Sequence, residues 1–154
     1  MKQLFVILFL SCSISYANSS QFDLKRDSVV NYAQSFLKAP YIWGGTSPKG
    51  FDCTGFLYYV YKNFGITVSR ASSGYENFGQ TIDLNQVKAA DILLFTGTDA
   101  SKRKVGHVGL VLKNENGVID FIHSSSSKKH FGVTITRYNQ SGYVKRFLRA
   151  ITIF

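Results

Sequence analysis

Gly50-Phe51-Asp52-Cys53-Thr54-Gly55-Phe56-Leu57-Tyr58-Tyr59-Val60-Tyr61 is the stretch on which the reading of this chain turns. Phe56/Leu57, Val60/Tyr61 and Phe64 recur at three and four residues, and Gly65 follows, which predicts a helix that stops at the glycine. The helix then begins at or just after Cys53, behind a loop in which Gly44, Gly45 and Gly50 permit tight turns. A helix amino terminus offers free N–H groups and partial positive charge. A thiol there is expected to ionise more readily than one in mid-helix, and the same N–H groups are placed to bind the oxyanion formed when sulfur attacks a carbonyl.

Outward from this stretch the chain divides by period. Upstream, Val29/Val30, Ala33 and Phe36/Leu37 predict another helix, capped by Asp27 or Ser28 and stopped by Pro40. Ser72 to Phe78 predicts a short helix. Downstream, Ile92–Phe95, Val105–Leu112, Val118–His123, Val133–Tyr138 and Val144–Phe154 are rich in branched and aromatic residues and read as strands of an antiparallel sheet. Helices first and strands second is the α+β pattern, here one domain over residues 27–154 behind a polar tail at 18–26.

The chain opens Met1-Lys2-Gln3, runs apolar from Leu4 to Leu10 and ends this stretch at Ser15-Tyr16-Ala17, the pattern of a secretory signal peptide spanning residues 1–17. The run is too short to span a membrane, which takes about 20 apolar residues, and no later stretch approaches that length. Cys12 after Phe9-Leu10-Ser11 is a poor match to a lipoprotein box, so lipid anchoring there is the minority reading of an exported, periplasmic, envelope or secreted protein. Lys+Arg number 18 against 9 Asp+Glu, and loss of Lys2 lowers the formal net charge of +9 to about +8. That excess suits an acidic partner such as an anionic membrane or cell-wall polymer. The basic residues are scattered and export disfavours nucleic acid, so no nucleic-acid partner is expected.

With residues 1–17 removed, Cys53 is the only cysteine, and an exported protein with one cysteine cannot use it for an internal disulfide. A nucleophile is favoured over a small buried apolar residue, because Asp52, Thr54 and two glycines flank it. A base is then needed. His107 lies between Gly106 and Gly109 in one predicted strand, and His123 ends the next. If Asn114-Glu115-Asn116 forms the hairpin loop, His107 falls directly opposite His123 on one face. If Asn116-Gly117 forms a two-residue turn, His107 faces Ser126 instead. His130, beside Lys128 and Lys129, reads as loop. Zinc held by Cys53, His107 and His123 lacks the close ligand pairs of most zinc motifs, so neither metal nor cofactor is expected.

Five ordered blocks carry a resemblance: Pro40-Tyr41-Ile42-Trp43-Gly44-Gly45, Phe51-Asp52-Cys53-Thr54-Gly55-Phe56, Asp91-Ile92-Leu93-Leu94-Phe95, Gly106-His107-Val108-Gly109 and Phe121-Ile122-His123. In order and spacing they resemble the NlpC-type cell-wall endopeptidases from about Asp27 to the end. The resemblance implies a papain-like α+β fold, with amino-terminal helices packed on a carboxy-terminal antiparallel sheet of about five to six strands. It implies a Cys-His-His triad in which Cys53 attacks, His107 is the general base and His123 orients it. Tyr41 would help bind the oxyanion, or else serve apolar packing. Asp52 and Thr54 would line the substrate cleft, with capping of the helix an equal reading for Asp52. Arg70-Ala71-Ser72 resembles a family Arg-x-Ser segment bordering the cleft, where Arg70 meets either a substrate carboxylate or a structural acid.

The implied activity is hydrolysis of peptide bonds in peptidoglycan stem peptides, at the γ-D-glutamyl bond to the diamino acid or at the cross-link, by a monomer. The alternatives are an amidase or acyltransferase on the same triad, or a non-catalytic wall-binding module. Thr54 stands where the family has serine, and the basic segment Thr96–Lys104 is longer than a minimal loop.

Overall fold

The computed structural model describes residues 21, 23–128 and 130–154. The export segment 1–17 with Cys12, and residues 18–20 and 22 of the tail, lie outside the described residues.

The first helix, α1, spans residues 23–34, so it starts before Asp27, within the stretch read as a tail. Its early turn is pinned by Arg26, which sequence polarity assigns to solvent. The guanidinium donates to Asp91 Oδ1 at 2.8 Å, Ala89 O at 2.7 Å and Thr152 Oγ1 at 3.0 Å. It also lies 4.4 Å from the centre of the Phe154 ring. Ser28, expected as a cap, is instead inside the helix and donates to Leu24 O. Val29 and Ala33 are fully buried, as their spacing predicts. The helix ends at residue 34 and a turn with Lys38 at φ 71° leads into Pro40.

A small ribbon follows, β1 (Thr46–Ser47) against β2 (Gly50–Phe51), and then α2 (Cys53–Lys62). Asp52 is the cap of α2, and Phe56, Leu57, Val60 and Tyr61 form its buried stripe. Gly55 in the first turn has no room for a side chain, since a Cβ there would lie 2.0 Å from Gly45 O. The loop therefore seats directly on the backbone at the start of the helix. Beyond it, Ser72–Tyr75 is a single 3₁₀ turn, shorter than the helix expected over Ser72–Phe78.

The sheet has six strands: β3 (Gln80–Ile82), β4 (Ile92–Thr96), β5 (Val105–Glu115), β6 (Val118–Ser125), β7 (Gly132–Arg137) and β8 (Phe147–Thr152). Their order is β3-β8-β4-β5-β6-β7, with every pairing antiparallel. One face, through Ile92, Leu94, Val108, Leu110 and Ile122, packs on α1 and α2. The other, through Leu93, Phe95, Val111 and Phe121, is covered by Tyr138, Tyr143 and Phe147. The expected strand Val144–Phe154 starts late, because Tyr143–Arg146 forms a one-turn helix, α3, that lies over this second face.

The hairpin between β5 and β6 decides where the two histidines point. It closes with the two-residue turn: Glu115 pairs with Val118, and Asn116 and Gly117 take φ 53° and 83°. The three-residue loop that would set His107 opposite His123 does not form. Continued without interruption, this register would send the two rings to opposite faces. A bulge intervenes at Leu112, where the register shifts between Val111 and Lys113 so that Leu110 pairs with Ile122. The one extra residue restores the parity, and His107 and His123 become diagonal neighbours on one face.

Arg26→Met removes one partner of a mostly buried ion pair and leaves Asp91 uncompensated. Urea titration is expected to show a loss of about 3 kcal/mol in unfolding free energy with an unchanged slope.

Candidate active site

Cys53 is the first residue of α2 and is half-buried at the mouth of a cleft of about 550 Å³. Tyr41, Asp52, Thr54, Arg70, Ser72 and His107 line the same cleft. The fold thus brings together every residue expected there except His123, which sits one step further in, behind His107.

The helix start is held by Asp52. Its Oδ1 accepts from Gly55 N at 2.7 Å and from Thr54 Oγ1 at 3.2 Å. Its Oδ2 accepts from Gly44 N at 2.9 Å and from Arg70 Nη2 at 2.6 Å. Capping is therefore what Asp52 does, and both its oxygens are occupied. Arg70 also donates from Nη1 to Thr54 Oγ1 at 2.7 Å, so the structural ion pair is the reading of Arg70 that the contacts support. Tyr41 packs against Phe131, with ring centres 5.8 Å apart, beside the thiol.

His107 Nε2 lies 2.9 Å from His123 Nδ1, with the ring planes at 89°. His123 Nε2 lies 3.0 Å from Thr136 Oγ1 on β7, which completes a chain of three groups running away from the cleft. Tyr143 roofs the pair: its hydroxyl is 3.4 Å from His107 Nε2 and 3.5 Å from His123 Nδ1, and its ring stacks on His107. Phe121 stacks on His123 from below at 4.9 Å. Gly109 provides that space, since a Cβ there would come within 2.4 Å of the Phe121 ring. The glycines beside His107 therefore serve close packing rather than an open surface; Gly106 likewise admits the backbone of Gly97.

Thr136, Tyr143, Arg146 and Trp43 have no individual signal in the sequence. Thr136 is one of two threonines in β7, and Tyr143 and Arg146 belong to a stretch that resembles the strand after it. Trp43 stands 87% exposed on the cleft rim, two residues after Tyr41 in the same sequence block, which gives it no role of its own.

Charge at the site runs against the expectation of a readily ionised thiol. Burial, then the Asp52 carboxylate, push the Cys53 thiol up; backbone N–H groups of Thr54 and Val108 oppose them without prevailing. Burial, then the Arg146 cation, push His107 down to about 3. His123 is held well down by burial, His107 and Arg146 in that order. The resting pair is thus a neutral thiol and a neutral imidazole. Among the described residues no group of three or more His, Cys, Asp or Glu is arranged to hold a metal ion.

A cysteine at a helix amino terminus, facing a sheet that carries the histidines, defines a papain-like α+β architecture. The profile of the NlpC/P60 family matches residues 38–152, and the chain belongs to that family. It is 35% identical over 124 residues to a gamma-D-glutamyl-L-lysine dipeptidyl-peptidase of Bacillus cereus, covering 80% of this chain and 35% of that protein. The chain thus spans about a third of the length of that curated relative. The crystal structure of an NlpC/P60 family protein from Bacillus cereus superposes with a TM-score of 0.72 at 33% identity, over 82% of this chain and 39% of that one. The NlpC/p60 domain of the peptidoglycan hydrolase SagA superposes at 0.66 with 26% identity, over 83% of this chain and 98% of that domain.

Two measurements follow from the charge state. His107 has a folded-state pKa of about 3 against its ordinary 6.5. The stability it contributes as a neutral ring is therefore fully present above pH 6.5 and is lost as the pH falls toward 3. His107→Gln is expected to flatten the fall of the thermal midpoint across that window relative to wild type, whereas parallel curves would contradict the assignment. Alkylation of Cys53 by iodoacetamide is expected to keep accelerating with pH through and beyond neutrality and to level off only above pH 9.0, the ordinary thiol value. A plateau already reached at neutral pH would instead reveal a resting thiolate.

Proposed function

We propose that this chain is an exported cysteine peptidase that hydrolyses the γ-glutamyl bond of peptidoglycan stem peptides, with Cys53, His107 and His123 as its triad. The observation that carries the reading is the hydrogen-bonded run His107–His123–Thr136, which starts in the cleft that holds the thiol. The γ-glutamyl preference draws on the Bacillus cereus relative, and the peptidoglycan class on the SagA domain. Export rests on residues 1–17.

In this mechanism neutral His107 carries its proton on Nε2 and donates it to His123 Nδ1. His123 in turn donates from Nε2 to Thr136 Oγ1. This sense of the chain leaves His107 Nδ1 as the base. As sulfur attacks the carbonyl carbon, the thiol proton passes to Nδ1, so the thiolate need not exist at rest. The carbonyl oxygen becomes an oxyanion within reach of the N–H of Cys53 at the helix start. Collapse breaks the C–N bond, and the departing amine takes the proton from His107. The acyl group remains as a thioester. His107 then takes a proton from water, whose oxygen attacks the thioester and releases a carboxylic acid and the thiol. Ring orientation by His123 and Thr136 keeps Nδ1 aimed at the cleft throughout.

The test is mass spectrometry of purified muropeptides after incubation with wild type and variants. Wild type is expected to produce new fragments whose masses locate the bond, and Cys53→Ala to produce none while remaining folded. His107→Ala is expected to lose about 10²–10⁴-fold in rate, and His123→Ala less than that. Fragments that persist with Cys53→Ala would sink the mechanism, and the reverse order of the histidines would exchange their roles.

A further inference from the structure

Behind the histidine pair lies a second chamber of about 540 Å³, which the mechanism above does not use. His123 and Thr136 form part of its wall, and Arg146 borders both this chamber and the cleft of Cys53. Among the described residues no aspartate or glutamate lines the second chamber. In the cleft the one acidic residue, Asp52, is fully engaged by its four donors.

Arg146 is fixed in place without being neutralised. It donates from Nη2 to Thr96 O at 2.8 Å, and its guanidinium sits 4.7 Å from the centre of the Tyr143 ring. Its Nε is buried and has no hydrogen-bond partner among the described residues, and none of their carboxylates pairs with it. Arg70, Arg137 and Arg26 each have an acid. Arg149 on β8 has none, but its guanidinium is taken up by Thr81 Oγ1 and the carbonyls of Tyr75 and Glu76, outside the cleft. Of the two arginines that line the cleft, Arg146 is the one without a carboxylate among the described residues. A half-buried cation without a counter-charge is unfavourable unless something brings one. A pre-oriented guanidinium is suited to a carboxylate.

The reaction geometry says which part of a substrate would bring it. The leaving amine must face His107 to receive its proton, so the residue that departs lies on the histidine side of the thiol. Arg146 is the cation on that side, and Arg70 is bound to Asp52 on the other. We propose that Arg146 receives a carboxylate carried by the leaving amino acid, and so selects leaving groups that bear one. This rests on the peptidase reading above. Two sources offer the same chemistry: a second carboxylate on the side chain of the diamino acid, or the terminal carboxylate of a stem that ends at that residue.

Four peptides separate the sources: L-alanyl-γ-D-glutamyl-lysine and L-alanyl-γ-D-glutamyl-meso-diaminopimelate, each with its terminal carboxyl free or amidated. Wild type is expected to favour at least one carboxylate-bearing form over amidated lysine by about tenfold or more in kcat/KM, roughly 1.4 kcal/mol. The side-chain source predicts that diaminopimelate keeps its advantage when amidated. The terminal source predicts that amidation alone abolishes the advantage. Arg146→Gln is expected to bring the ratio near one, and Arg146→Lys to retain part of it. Loss through Thr96 or the histidines would fall on all four peptides alike, so the ratio is the readout. Equal wild-type rates on all four, or a ratio untouched in Arg146→Gln, would overturn the inference while leaving the peptidase reading intact. Absence of any Cys53-dependent cleavage would overturn both.

Discussion

A thiol at a helix start creates a conflict: the first N–H groups need an acceptor, yet the role proposed for Cys53 requires the sulfur to stay clear. Asp52 resolves it from the position just before the helix. One oxygen caps Gly55 N while the other holds Gly44 N, so the loop and helix are fastened at a single carboxylate. Arg70 completes the junction by binding both Asp52 and Thr54. The cleft wall, the helix and the segment carrying Ser72 are therefore one unit. The cost is electrostatic, since the same carboxylate raises the pKa of the thiol beside it.

That cost shapes the chemistry. With Cys53 raised and both histidines lowered, the proposed mechanism requires charge separation to wait for the substrate. The Arg146 cation contributes to this by opposing protonation of the rings while facing both cavities. An arriving carboxylate would offset that cation, and so ease protonation of His107 at the moment the mechanism calls for it. Binding and proton transfer would then be linked through one guanidinium.

Much of this was legible in the chain. The spacing of Phe56, Leu57, Val60 and Tyr61 located α2, and branched runs located five of the six strands with their order of appearance, the last of them beginning later than expected. Cys53, His107 and His123 stood out because their residue types and local glycines are uncommon together. What escaped depends on distant partners. Arg26 is polar by type and buried by contacts with Ala89, Asp91 and Thr152, far along the chain. Thr136 matters only because His123 ends beside it. The bulge at Leu112 leaves no local mark, because an extra residue in a strand reads the same as any other apolar position. Gln80–Ile82 is too short for its alternation to register.

The bulge also governs how the β5–β6 hairpin can change length over descent. Between Leu110 and Ile122 the chain holds a number of residues whose parity decides the face that His123 occupies. Gain or loss of two residues at the tip preserves that parity; a single residue inverts it unless another bulge absorbs the change. The tip lies away from the residues that line the cleft, yet its length is quantised by the face that His123 must occupy. Lineages of this fold are expected to differ there in steps of two, with odd steps accompanied by a bulge made or erased.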